Sequence, residues 1–585
     1  MTRAAADPRA SRRPGSRGVP GRVSWTLDGR AGPRSARRVD LDADYVIVGA
    51  GSAGAALAAR LSEDPSVSVL LLEAGAPDRA PELHIPAAFT RLFRGPYDWS
   101  YDTVPQPALE NRTIFWPRGK TLGGSSSLNA MMWIRGFAAD YDEWAETAGE
   151  SWSWASLVPY FRRVERTQDA AHPTQGTDGP QAVEHQRDPR PHTAAFLEAA
   201  REAGHSVTPP NLPEGQGFSQ TMTSIHRGAR ASTADAYLRP ARRRSNLRVV
   251  TGALVRRVTF SREDAAAPRA TGVYVDIDGV SRHALARREV ILSGGSVNTP
   301  QLLMLSGIGP ADHLAEHGIP LVVDAPGVGA DLQDHLVSGL APAAVGGTLH
   351  RATSAGQLAR YLTTRTGMLS SNVAEAYGFV RTPVADRAGM PAGLPDVELI
   401  FATAPYIGEG LVPTPAEGVT VAAILLRPRS RGTIRLASAD PTAKAVIDPA
   451  YLTDPDGMDE RTLLAGLAEC ERILDTDAMR TVTTGGWVQP EAGERMTPAE
   501  RAELSLRRYS HTLYHPVGTA RMGEDAASVV DPDLRVRGVE GLRVADASVM
   551  PTIIRGHTNA AAIVIGERAA DLVRGTRPDR RAAGR

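Results

Sequence analysis

Asp44-Tyr45-Val46-Ile47-Val48-Gly49-Ala50-Gly51-Ser52-Ala53-Gly54 is the stretch whose reading decides the fold of this 585-residue chain. Tyr45 to Val48 is an apolar run of strand type, and the Ala- and Leu-rich residues 55–61 behind the glycines read as helix. Gly49 permits a tight turn, Gly51 lets the backbone approach a pyrophosphate, and Gly54 lets helix and strand pack closely. The helix N-terminus, with Ser52 and Ala53 beside it, offers free N–H groups to phosphates. Glycines alone are weak evidence, but here Pro65 ends the helical stretch and residues 67–72 form a second strand. Glu73 closes that strand about 20 residues past the glycines, where a carboxylate accepts hydrogen bonds from an adenosine ribose. The complete unit predicts an adenine-dinucleotide site and leaves FAD and NAD both open.

Two further landmarks repeat this chemistry. Trp116-Pro117-Arg118-Gly119-Lys120-Thr121-Leu122-Gly123-Gly124-Ser125-Ser126-Ser127-Leu128-Asn129 pairs two glycines with three serines, which suits a backbone laid flat against a planar or phosphorylated ligand, a flexible loop being the other reading of the stretch by itself. Glu289-Val290-Ile291-Leu292 is a second strand that runs into a glycine turn, and the residues from Gly295 to Gly309 place another helix N-terminus near the same ligand.

Composition bounds the rest. With 42% hydrophobic and 23% charged residues the chain is that of a large globular protein. A single cysteine, Cys470, excludes an internal disulfide and a thiolate metal or iron–sulfur site, so redox chemistry needs a bound cofactor; no metal site is expected. The 66 basic and 66 acidic side chains cancel, yet residues 1–40 hold ten arginines against Asp7, Asp28 and Asp40, a net of +7 that leaves −7 on the remainder. This Pro-, Gly- and Ser-rich segment reads as a disordered tail. Arg12-Arg13 suggests an export signal, but no apolar stretch of about 7 to 15 residues follows, so a cytoplasmic location is expected. No apolar run approaches the ~18 residues of a membrane span, and zero formal charge gives no pull toward nucleic acid.

With these landmarks the chain, from about Tyr45 to Leu572, resembles the glucose-methanol-choline (GMC) oxidoreductases, which use FAD. Gly119 through Asp142 is similar to the family's first signature and Gly295 through Gly309 to its second. Tyr97-Asp98-Trp99-Ser100-Tyr101, Ile134-Arg135-Gly136 and Tyr514-His515-Pro516 are similar to the branch of choline-dehydrogenase-like and alcohol-dehydrogenase-like members. The resemblance implies an α/β plus α+β fold: a Rossmann-like FAD domain with an interleaved substrate domain on an antiparallel sheet. The expected parts are the tail 1–40; the FAD domain over 41–330, with substrate-side insertions around 155–220; the substrate domain 331–505; a C-terminal FAD segment 506–578; and a tail 579–585. It extends the cofactor residues to Arg118, Gly123, Gly124, Ser125, Asn129, Ala130, Asp546, Ala547 and Asn559. Some members attach FAD through a histidine two places beyond the paired serines; Leu128 stands there, so FAD is expected to be noncovalent.

Oxidation of an alcohol removes the hydroxyl proton as the α C–H leaves as hydride, so one base and one partner for the oxygen are the minimum apparatus. Histidine suits both tasks. By resemblance His515 is the base and His557 the orienting partner, with the reverse order open. By resemblance the helix expected over residues 559–568 aims its positive end at the flavin; a capped packing helix is the other reading. Residues 397–401, 419–426 and 432–436 read as strands of the antiparallel sheet. Glu375 is a candidate substrate contact, because choline-oxidising members place a carboxylate near this region; a solvated surface glutamate is the other reading, and no aromatic box flanks it. The resulting expectation is an FAD-dependent dehydrogenase or oxidase acting on the CH–OH group of a small-molecule alcohol, with oxygen, a quinone or a protein as electron acceptor. A lyase or flavin-dependent decarboxylase on the same scaffold, or a silent flavoprotein, is the alternative.

Overall fold

A computed structural model describes residues 41–576 apart from 216, 262–266 and 388; the expected tails at residues 1–40 and 579–585 lie outside the described residues. β1 (Leu41–Val48) runs into α1 (Ser52–Leu61), and β2 (Val69–Glu73) lies parallel to β1, with Tyr45 beside Val69 and Val48 beside Leu72. Every residue of β2 and the last four of β1 are buried, which is why they read as unbroken apolar runs rather than an alternation. α1 buries eight of its ten residues, most of them alanine, because it is pressed between this sheet and the last helix of the chain.

The first sheet has seven strands. Leu247–Thr251, β2, β1 and β3 (Val280–Leu292) lie side by side in parallel. On its far side β3 pairs antiparallel with Arg269–Ile277 and then, over Val290 to Leu292, parallel with Leu542–Val544. Val48 is level with Leu292, and Leu292 with Val544. Several carboxyl ends therefore open on one crevice, the place where doubly wound sheets take their ligands. Leaving that edge are the Gly49 turn, α2 (Gly295–Leu305) and the turn at Asp546.

The second sheet also has seven strands, all antiparallel. β4 (Leu336–Ala344), Thr420–Leu425, Val397–Ala402, Ala374–Val380 and Phe218–Gln220 are joined in that order, with Thr483–Gln489 and His511–Thr512 on the other side of β4. The strands expected over 397–401 and 419–426 pair here, Ile400 beside Ala422. The strand expected over 432–436 does not join them. Asp459 accepts hydrogen bonds from the backbone N–H groups of Arg429 and Ser430 and turns the chain off the sheet, so Thr433–Arg435 pairs instead with Val446–Asp448 in a separate ribbon. α3 (Thr558–Arg574) returns to the first sheet by crossing α1 at Gly566, where an added Cβ would stand 2.3 Å from the Ala53 carbonyl oxygen.

Candidate active site

The turn after β1 is held from behind by the acid that closes β2. Glu73 accepts the Ala50 N–H at 2.9 Å and the Gly75 N–H at 2.8 Å, and burial pushes its carboxyl up to about 7. Gly49 has φ +101 and no room for a Cβ, since the Ser293 carbonyl oxygen would lie 2.3 Å away. Gly51 is different: a Cβ built there meets only Gly124 Cα, at 4.0 Å. The two glycine motifs read separately in the sequence thus lie backbone to backbone, joined by the Gly123 N–H to the Ala50 carbonyl at 2.8 Å. Ser52 Oγ donates to Asn559 Oδ1 at 2.6 Å, which brings the N-termini of α1 and α3 together. Asp546 ties in the third motif by accepting the Gly295 N–H at 2.8 Å and the Thr299 hydroxyl at 2.6 Å.

A cavity of about 660 Å³ runs from this cradle to the face of the second sheet. Gly49, Gly51, Ser52, Ala53, Glu73, Arg118, Gly124, Ser125, Asn129, Ala130, Asp546, Ala547 and Asn559 line it together with His515 and His557. Gly54 and Gly123 stand behind the lining, as packing and turn residues: a Cβ at Gly54 would be 2.0 Å from the Gly49 oxygen, and Gly123 has φ +86. The cradle fits a dinucleotide, for its small residues leave free N–H groups at two helix N-termini facing one groove. Glu375 does not line the cavity. It is fully buried, and its carboxylate accepts from the Arg190 N–H, the Thr193 hydroxyl and the Ser371 hydroxyl, each at 2.6 Å. Neither substrate contact nor solvated surface residue describes it; it braces the strand Ala374–Val380 against residues 190–193.

At the far end of the cavity the rings of His515 and His557 lie 4.7 Å apart. Two residues that no sequence motif marks, His335 and Glu398, complete the group. His335 Nδ1 is 3.0 Å from His515 Nδ1, and His335 Nε2 is 3.2 Å from the Leu426 carbonyl. A carbonyl only accepts, so His335 carries its proton on Nε2 and takes the His515 Nδ1–H at its bare Nδ1. Burial, with His557 next, pulls His335 down to about 3; burial, His557, His335 and Arg118 hold His515 well below the usual imidazole range. Both rings are neutral at pH 7, which leaves His515 Nε2 as an unprotonated acceptor. His557 is held from the other side by Glu398, whose Oε1 accepts from Nε2 at 3.1 Å.

The backbone that carries His515 is strained. Tyr514 has φ +70, and φ is also positive at Val373 (+74) and Met131 (+56) elsewhere on the lining, each in a region that costs L-residues about 1–3 kcal/mol. Asp334 offsets this by accepting the His515 N–H at 2.8 Å and the Thr512 hydroxyl at 2.6 Å, while Thr512 Oγ in turn accepts the Tyr514 N–H at 2.7 Å. Asp334 and His335 end the polar run Gln333-Asp334-His335 directly before an apolar strand, a signal visible in the sequence but not specific. An aromatic wall was invisible there, because Phe89, Phe93, Tyr406 and Tyr514 come from three distant segments; Phe93 lies 5.9 Å from both Phe89 and Tyr514, and the Tyr406 and Tyr514 hydroxyls are 3.1 Å apart.

Residues 43–337 match a family model described as GMC oxidoreductase, and residues 428–566 match a second model of that description. An uncharacterized GMC-type oxidoreductase of Mycobacterium tuberculosis is 54% identical over 540 residues, 92% of this chain and 100% of the relative. The oxygen-dependent choline dehydrogenase of Brucella ovis is 38% identical over 550 residues, 92% of this chain and 96% of the relative. Among solved structures, pyridoxine 4-oxidase superposes with a TM-score of 0.80 at 32% identity, covering 90% of this chain and 98% of its own. A formate oxidase of Aspergillus oryzae, studied for modification of its FAD, superposes at 0.83 with 30% identity, covering 92% and 98%.

Proposed function

Because the chain belongs to the GMC oxidoreductase family, we propose that it is an FAD-dependent enzyme that oxidises the CH–OH group of a small-molecule alcohol, with His515 as base and His557 as partner. One observation carries this reading: His515, left with a bare Nε2, lines the same cavity as the paired glycine motifs. In this reading Gly51, Ser52, Gly124, Ser125 and Asn559 hold the dinucleotide and Glu73 positions its turn, with the first sheet and residues 41–330 and 506–578 as the cofactor domain. The second sheet, centred on residues 331–505, forms the substrate domain. FAD, when bound, supplies the acceptor for the hydride that leaves the alcohol carbon. Leu128, buried against Leu83 and Leu92, offers no atom for a covalent link, which supports noncovalent attachment.

The chain's own groups account for the proton. His515 Nε2 receives it from the substrate hydroxyl while the carbonyl bond forms, and the His335 Nδ1 acceptor keeps the ring in the tautomer that makes this transfer possible. His557, its ring fixed by Glu398, lies beside His515 and bounds the place of the alcohol oxygen on that side. The N-terminus of α3 supports negative charge at the flavin end of the cavity. Purified holoenzyme should be yellow and should bleach anaerobically with a reactive alcohol. His515→Ala should keep the colour and slow bleaching by about 10²–10⁴-fold, the usual worth of a general base; an undiminished rate would remove His515 from this role.

A further inference from the structure

The substrate end of the cavity is walled chiefly by aromatic and apolar side chains. Phe89, Phe93, Tyr406 and Tyr514 form one wall, and Ile400 and Ala422, neighbours in register, form part of the floor. Carboxylates are nearby, and most of them are engaged. Glu375 is taken up by three hydrogen bonds behind the lining, and Glu398, also behind it, bonds His557 through Oε1. Glu409, also on the lining, stands in the field of Arg94 and Arg112 as well as of Tyr406 and Tyr514. Asp546 and Glu73 belong to the cradle. Fixed positive charge is more plentiful on the lining, with Arg112, Arg118, Arg508, Lys120 and Lys444. Arg118 Nη2 donates to the Tyr514 carbonyl at 2.6 Å, next to the base itself. The aromatic rings do not form an open cage for an ammonium group either. Phe93 meets Phe89 and Phe115 edge to face, and Arg94 already stands 3.8 Å over Phe115. A quaternary ammonium ion entering this chamber would lose its water and find Glu409 already shared with Arg94 and Arg112, whereas an uncharged hydrocarbon body would gain the full benefit of apolar burial.

Resting on the alcohol-oxidising reading of this site, we propose that the substrate is an uncharged alcohol with an apolar, ring-bearing or branched carbon body, held against Phe89, Phe93, Tyr406 and Tyr514. This separates the chain from its relatives named for choline. The test uses an isosteric pair: choline, and 3,3-dimethylbutan-1-ol, in which carbon replaces the charged nitrogen; benzyl alcohol is the ring-bearing probe. Affinity is read with the His515→Ala holoenzyme from perturbation of the flavin absorption, so it reports on the chamber whether or not any alcohol is oxidised. The expected result is that 3,3-dimethylbutan-1-ol and benzyl alcohol each bind at least tenfold more tightly than choline. Equal binding, or tighter binding of choline, overturns the proposal. Anaerobic bleaching of the native holoenzyme is measured in parallel. Tight binding of the neutral probes without bleaching by any of the three would leave the chamber's preference standing and count against alcohol oxidation; bleaching fastest with choline would uphold oxidation and refute the preference.

Discussion

An added methyl at Gly54 would stand 2.0 Å from the Gly49 carbonyl oxygen, whereas at Gly51 the nearest neighbour, Gly124 Cα, is 4.0 Å away. Gly54→Ala should therefore cost several kcal/mol, on the order of other severe steric lesions, and be read as a large fall in melting temperature. Gly51→Ala should leave circular dichroism and melting of the flavin-free protein nearly unchanged while weakening FAD retention at least tenfold; equal damage from both would deny Gly51 its place at the ligand. His335 gives a prediction in pH. Its folded pKa, about 3, lies below the ordinary imidazole value of 6.5, so the unfolded chain binds the extra proton between them. Stability from this group is complete above pH 6.5 and is lost as pH falls toward 3, by a few kcal/mol in order of magnitude. His335→Gln should flatten that acid limb in denaturant titrations, and its kcat should fall through loss of the His515 tautomer. The glycines were legible in the sequence because a tight turn is a local demand. His335 was not, since its role depends on a carbonyl 91 residues away.

At the scale of elements, Asp140 and Arg555 join the helix Ala138–Ala148 to the segment that carries His557. Both side chains are buried, 2.5 Å apart, and Asp140 also accepts the Arg555 N–H at 3.0 Å. Removing one partner of such a pair leaves an uncompensated buried charge, so Asp140→Ala should cost about 3–5 kcal/mol. It should also lower kcat more than it changes flavin content, because the cradle lies elsewhere; loss of both together would mean the pair serves only the fold. The β1, α1, β2 unit was readable because parallel buried strands and an alanine-rich helix have distinct patterns. Residues 432–436 were correctly a strand and wrongly a member of the large sheet: alternation reports a pleated segment but not its partner, which here is set by Asp459. The aromatic wall needed three segments and the fold that joins them.

For the whole molecule, the first and last parts of the described chain make one object. Leu542–Val544 extends the sheet begun by β1, Gly566 lets α3 seat on α1, and Arg60 and Arg163 both reach the fully buried Glu567. Ending the chain at residue 556 should yield protein with no bound flavin, measured as the ratio of flavin to protein absorbance; normal flavin content would show that α3 is dispensable to the cradle. The sequence carried the order of these parts but not their closure, because nothing local to Ser52 records that its partner is Asn559. Those two residues are 507 apart. During synthesis at roughly 5–20 residues per second, Ser52 waits about 25 to 100 s for Asn559 to be made. Through that interval the apolar strands of the nascent chain lack their last neighbours, and flavin has no finished place to dock. The protein's yield in a cell should thus respond to chaperones and elongation speed before it responds to flavin supply.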